Sequence, residues 1–237
     1  MQLLLISSSK VHGYGFLDHS EPDIRRFLGD RKRPCKRIVF APFAQKDRDG
    51  YTAIVRERLA RMGLETTQLR HGASDLDDVD AIFVGGGNTF RLLNALYERE
   101  LVTAIRDHVR DGLPYIGSSA GTNITAPTIK TTNDMPIVEP PSFTALGLVP
   151  FQINPHYVDP DPSSTHKGET REERIREFLE ENDTPVLGLR EGSTLHVIDD
   201  EVTLLGEKTA RLFKQGAEPI EIGPGRLVIL RRGDGEA

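Results

Sequence analysis

Apolar residues fall in short unbroken runs at residues 3–7, 38–43, 81–84, 115–117 and 186–189, as strands buried on both faces of a parallel sheet do. Between several of these runs the apolar positions change to helical spacing. Ile54, Val55, Leu59 and Met62 form one such set, Phe90, Leu93, Leu96 and Tyr97 a second, and Leu101, Ile105 and Val109 a third. This alternation predicts an α/β fold on a doubly wound, mainly parallel sheet flanked by helices. After Glu201 the pattern changes: residues 202–205, 210–213 and 227–230 read as short strands punctuated by Gly223, Pro224 and Gly225, a small antiparallel ending. No repeat, low-complexity tract or linker rich in Pro, Gly or Ser divides the chain, so residues 1–237 read as one domain.

Composition narrows the class. With 37% hydrophobic and 28% charged residues over 237 positions, the chain can build the core of an ordinary soluble enzyme. The opening residues 1–6 have no basic flank and no small-residue cleavage site, so they read as a first strand and predict a cytoplasmic protein without a membrane partner. Cys35 is the single cysteine, which excludes an internal disulfide or a cysteine-built zinc site and suits a reducing compartment. No metal signature is present, and no cofactor is expected. A formal charge of -6 argues against nucleic acid as a partner. The basic cluster of Arg25, Arg26, Arg31, Lys32, Arg33, Lys36 and Arg37 has only Phe27 beside it and reads as solvated surface. The acidic run Asp75, Asp77, Asp78 and Asp80 lacks the glycine and distal glutamate of a calcium loop.

The candidate chemistry centres on Gly117-Ser118-Ser119-Ala120-Gly121, placed after an apolar strand and before a helix. That pattern builds a nucleophile elbow, in which small flanking residues let the backbone turn sharply and push the serine outward. Ser119 is the candidate nucleophile, and the helix start behind it offers N–H groups to an oxyanion. A serine needs a base oriented by a carboxylate. His12, His19, His71 and His108 precede the elbow in polar or helical surroundings and read as surface residues, whereas His166 and His196 stay open as alternatives. His156 stands out, because residues 151–156 run from an apolar strand into a proline-fixed turn. Glu191 follows the strand at 186–189 and precedes Gly192, which makes it the candidate acid. The order serine, histidine, acid differs from that of α/β hydrolases; Asp134 or Asp159 with His196 would be the hydrolase-like rival.

Gly85-Gly86-Gly87 fails the dinucleotide spacing because Phe90 occupies the third glycine position, and no P-loop lysine follows. Backbone donation is the better use: Gly87 or Asn88 N–H for one side of an oxyanion and Ala120 N–H for the other. Thr170 and Glu173 form a capping box, so Thr170 starts a helix with Arg171 in its first turn. A cation there opposes the helix dipole, and a bound anion would give it a reason.

Taken together, Gly85-Gly86-Gly87-Asn88-Thr89-Phe90, the elbow, Thr132-Asn133-Asp134-Met135-Pro136, Asn154-Pro155-His156 and residues 166–172 resemble peptidase E, the aspartyl dipeptidase group of serine peptidases. The resemblance spans residues 84–191. It implies a class I glutamine amidotransferase-like fold and cleavage of Asp-Xaa dipeptides, with Ser119 as nucleophile, His156 as base and Glu191 as acidic partner. Substrate contacts then fall on Arg171 for the aspartate carboxylate and Asp134 for the free amine, with assistance from the Asn88 amide. Ser118 stands where close relatives are expected to carry a bulky aromatic, which creates a second hydroxyl that could participate. Two other readings are a cyanophycinase-like hydrolase and a noncatalytic amino-acid or peptide sensor. The partner expected is a small peptide, and both a monomer and a homodimer fit.

Overall fold

Leu3, Leu4, Leu5 and Ile6 are all at most 1% exposed, so β1 (Gln2–Ile6) crosses a sheet with apolar neighbours on both faces. The computed structural model describes residues 1–29, 34–161, 163, 165 and 168–227. Arg31, Lys32, Arg33, His166, Lys167 and residues 228–230, to which the sequence assigned roles, lie outside the described residues. β1 pairs in parallel with β5 (Tyr115–Ser118), which pairs with β4 (Ala81–Val84), then β2 (Arg37–Ala41), then β3 (Glu65–Gln68). On its other side β1 meets β8 (Thr194–Ile198), followed by β9 (Glu201–Leu205) and β12 (Gly225–Leu227), all antiparallel. The main sheet is thus parallel at its centre with an antiparallel edge, as the apolar runs and the late turn-rich segment predicted.

Alternate side chains divide the core. Leu3 and Leu5 belong to one cluster with Leu92, Leu96 and Ile105, which brings α3 (Thr89–Glu98) and α4 (Leu101–Arg110) to that face. Leu4 and Ile6 pack with Ile24, Val55 and Leu59, so α1 (Glu21–Gly29) and α2 (Arg48–Ala60) cover the other. Each such side chain, fully buried, contributes about 1.5–3 kcal/mol.

One expectation needs correction. Residues 186–189 do not join the main sheet: β7 (Val186–Arg190) pairs in parallel with β6 (Gln152–Tyr157), and β10 (Ala210–Phe213) and β11 (Ile220–Ile222) complete a second sheet. A short apolar run records burial on both faces but carries no label for its partner strand. β3 escaped notice because Glu65-Thr66-Thr67-Gln68 is polar, as suits a sheet edge. No helix among the described residues is long and apolar enough to cross a membrane.

The two sheets meet where the site forms. Ser7, fully buried just past β1, donates its hydroxyl to the Leu189 carbonyl at 2.7 Å and accepts the His156 N–H at 3.0 Å. One side chain at the end of β1 thereby ties β6 and β7 of the second sheet to the main one.

Candidate active site

The elbow is built from close backbone contact. Ser119 has φ 53° and ψ -110°, a conformation that side-chain-bearing residues rarely adopt and that the surroundings must enforce. A Cβ on Gly117 would lie 2.5 Å from the Gly121 carbonyl oxygen, and one on Gly121 would collide with the Val84 carbonyl of the neighbouring strand. The buried Tyr115 hydroxyl donates to Gly121 O at 2.6 Å, while Ser119 N–H and the Thr122 hydroxyl both donate to Ile6 O. β4, β5 and β1 together therefore hold the turn. The following α5 (Ala120–Asn123) is a single turn, so individual N–H groups rather than a long helix dipole would meet an oxyanion.

His156 reaches Ser119 by a bulge. Its φ is 55°, and the register between β6 and β7 shifts between Pro155 and Tyr157, which turns the imidazole toward the main sheet. Its Nε2 lies 2.9 Å from Ser119 Oγ and its Nδ1 2.6 Å from Glu191 Oε1. Glu191 follows β7 directly, and Gly192 with φ 86° turns the chain away. Serine, imidazole and carboxylate are in hydrogen-bond contact in the order that orients a base toward a nucleophile.

The rivals are placed elsewhere. His196, on β8, packs edge-on against Phe27 at 5.6 Å, and burial lowers its pKa. Asp159 is held by Arg190 at 2.6 Å. Among the residues read as surface histidines, His108 does pair with Asp77. His19 does not fit that reading. It is half-buried, and its pKa is lowered by burial.

The glycine loop over Ser119 sharpens the oxyanion question. Asn88 N–H donates to Ala44 O at 3.0 Å. Its side-chain Oδ1 caps α3 by accepting Arg91 N–H, and its Nδ2 donates to Met135 O at 2.8 Å. These contacts take the Asn88 N–H away from an oxyanion and one of the two amide hydrogens away from a substrate, because the residue fastens two loops. Gly86 N–H is likewise taken, by Tyr51 Oη at 3.0 Å, while Gly86 O accepts from Gln45 Nε2 at 3.2 Å. A trans peptide points its C=O and N–H in opposite directions, so Gln45 turns the Gly87 N–H away from itself. Gly86 lies against the nucleophile: a Cβ there would be 3.0 Å from Ser119 Cβ. Gly87 N–H and Ala120 N–H have no hydrogen bond among the described residues and remain the candidate pair of donors.

Beside the triad opens a cleft of about 360 Å³ reached by Thr89, Asn123, Thr132, Asp134 and Arg171. Asp134 Oδ2 accepts from Thr89 N–H at 2.7 Å, from the Thr89 hydroxyl at 2.6 Å and from Thr132 at 3.2 Å, leaving Oδ1 for a ligand. Arg171 opens α6 (Arg171–Glu180) behind the Thr170–Glu173 capping box, which forms with both reciprocal bonds. Its pKa is lowered first by burial, then by Arg174, and opposed by Asp134. No carboxylate among the described residues lies within ion-pair distance of it. A guanidinium and a carboxylate thus line one cleft with Ser119. Thr89, Thr132, Asn123, Ser7, Gln45 and Tyr51 were not visible as site residues in the sequence. Asn123 carries a structural signal, a buried Oδ1 without a partner among the described residues.

Ser118 is 0% exposed and its Oγ has no partner among the described residues. Its hydroxyl is shut off from solvent, and Ser118 does not line the cleft beside Ser119.

Residues 3–205 match the model of Peptidase family S51. The chain belongs to that family. A Streptomyces coelicolor protein named Peptidase E is 58% identical over 95% of this chain and 92% of its own. A Drosophila melanogaster protein named "Probable alpha-aspartyl dipeptidase" is 49% identical over 94% of this chain and 93% of its own. The crystal structure of a peptidase from an acI-B1 actinobacterium superposes with a TM-score of 0.66, covering 95% of this S51 chain and 96% of that chain at 18% identity. This last likeness bears on the fold alone.

Proposed function

We propose that this S51 peptidase hydrolyses dipeptides with N-terminal aspartate through an acyl-enzyme on Ser119. His156 Nε2 takes the Ser119 proton as Oγ attacks the peptide carbonyl carbon. Glu191 holds the imidazole by its Nδ1 and stabilises the imidazolium that forms. The oxyanion docks on Gly87 and Ala120 N–H groups. His156 then returns the proton to the leaving amine, and water, activated by the same base, hydrolyses the ester. Arg171 takes the substrate's β-carboxylate, and Asp134 Oδ1 takes its ammonium. The observation that carries the reading is the meeting of the Ser119–His156–Glu191 chain with Arg171 and Asp134 in one cleft. The names of the Streptomyces and Drosophila relatives support the same substrate class.

Because the nucleophile comes from one sheet and the base and acid from another, residues 1–237 act as one domain in this reading. Cytoplasmic residence belongs to the same proposal, supported by the lone, buried Cys35. The test of substrate class is a comparison of Asp-Leu with its uncharged isostere Asn-Leu. Asp-Leu is favoured by the parent, and Arg171→Ala lowers kcat/KM for Asp-Leu by about 10- to 100-fold, the worth of one charged hydrogen bond. Equal use of both peptides by the parent would overturn the assignment.

A further inference from the structure

A second cleft, of about 720 Å³, opens on the far side of the glycine loop and shares no lining residue with the Ser119 cleft. In a chain of net charge -6, it gathers Lys46, Arg48, Arg70, Arg91 and Arg99. Its acids are largely spoken for. Asp49 is held by Arg70 at 2.5 Å, Asp47 caps α2 by accepting Gly50 N–H at 2.9 Å, and Glu98 accepts from Asn94 and lies 3.6 Å from Arg99. Neither Arg48 nor Arg91 has a carboxylate within ion-pair distance among the described residues. They are nevertheless clustered: burial lowers the Arg48 pKa, the Arg99 charge lowers it further, Glu98 opposes, and Arg91 adds to the lowering.

The cluster is also oriented. Phe43, 2% exposed, carries Arg48 at 5.2 Å and Arg99 at 4.9 Å from its ring centroid. A buried ring under two planar guanidiniums limits their freedom, so less entropy is lost when they grip a ligand. Arg48 is moreover the first residue of α2, where the positive end of a 13-residue helix disfavours a cation and favours an anion. Arg48, Arg91 and Arg99 converge, two of them stacked on one ring, at a helix end whose own acids, Asp47 and Asp49, are engaged by the cap and by Arg70, and an added anion relieves the repulsion that remains.

We propose that this cleft is a binding site for a compact polyanion, a phosphate ester or a polycarboxylate, gripped by Arg48, Arg91 and Arg99. It lies outside the peptide cleft and abuts its glycine loop: Ala44 O accepts from both Asn88 N–H at 3.0 Å and Arg91 Nη1 at 3.5 Å.

Calorimetric titration of the full-length protein with inorganic phosphate at low salt tests the site. The parent and Arg171→Gln should bind one phosphate with equal affinity, weakened by added salt. Arg48→Gln with Arg99→Gln should weaken binding about tenfold or more, from the loss of charge-assisted hydrogen bonds, with an unchanged melting profile. Should that pair fail to fold, Arg48→Lys serves: it keeps the charge, loses the fork, and binds more weakly than the parent. Parallel titrations with glycerol phosphate and citrate assign the source, the tighter binder marking the site as one for phosphate esters or for polycarboxylates. Absence of saturable binding, or binding abolished by Arg171→Gln and indifferent to the Arg48 and Arg99 changes, would overturn the proposal.

Discussion

Ser119 and His156, the proposed nucleophile and base, stand in differently built surroundings. Ser119 is fixed by backbone packing: Gly117 and Gly121 admit no Cβ, Tyr115 and Thr122 fasten the turn, and strands buried on both faces surround it. His156 and Glu191 stand on the smaller sheet with side chains 35% and 47% exposed. Their placement depends on a bulge, a glycine turn and the Ser7 bridge. Steric exclusion leaves the nucleophile one position, whereas the base and acid are aimed by individual hydrogen bonds. Damage on the first side should therefore be all-or-none, and damage on the second graded.

The largest effect sits on the nucleophile itself. Ser119→Ala should lower kcat on Asp-Leu by about 10⁴- to 10⁶-fold in steady-state assays, with the fold unchanged by circular dichroism. Glu191→Gln should cost about 10²- to 10⁴-fold in kcat with little change in KM, since it unsettles the imidazole tautomer without touching the substrate. Ser7→Ala sharpens the comparison. It removes the bond that aligns His156 and should lower kcat roughly tenfold while costing about 1–3 kcal/mol in urea unfolding, because the hydroxyl that accepts the His156 N–H and donates to Leu189 O is lost. Ser118→Ala, one residue from the nucleophile, should leave kcat within about twofold and raise the melting temperature, since it removes a buried hydroxyl that has no partner.

The smallest effect is on pH. His19 and His196 both have pKa values lowered from 6.5, first by burial. Unfolded chains therefore bind protons that the folded protein rejects. Stability is full above about pH 6.5 and declines as pH falls through that value toward the folded-state pKa values. His108, whose pKa is raised against burial by the Asp77 and Ala104 bonds, contributes the opposite slope, so the test is by difference: His196→Phe should lose less of its urea midpoint than the parent between about pH 7.5 and 5.5.

The same contrast decides what could be read from the chain. The meeting of Ser119, His156 and Glu191 was legible because each sits in a motif whose local backbone dictates its placement: a glycine-flanked turn, a proline-led strand end and a strand-to-glycine junction. The parallel centre of the sheet was legible through β1, β2, β4 and β5. The partnership of β7 with β6 was not, since pairing depends on distant strands. Asn88 was misread for a related reason. Its position after three glycines suggested an oxyanion donor, but Ala44, 44 residues away in sequence, takes its N–H, and Met135, 47 residues away, takes one hydrogen of its amide. Tyr51 and Gln45, which hold successive peptide groups of the glycine loop, carry no local mark at all; only folding brings them to it.

Incubating the purified protein with Asp-Leu, Glu-Leu and Ala-Leu beside Ser119→Ala, and quantifying released leucine by mass spectrometry, tests the central claim most directly. The account predicts release from Asp-Leu alone, abolished in the variant. Release that persists in Ser119→Ala, or none from any peptide with the parent protein, would contradict it.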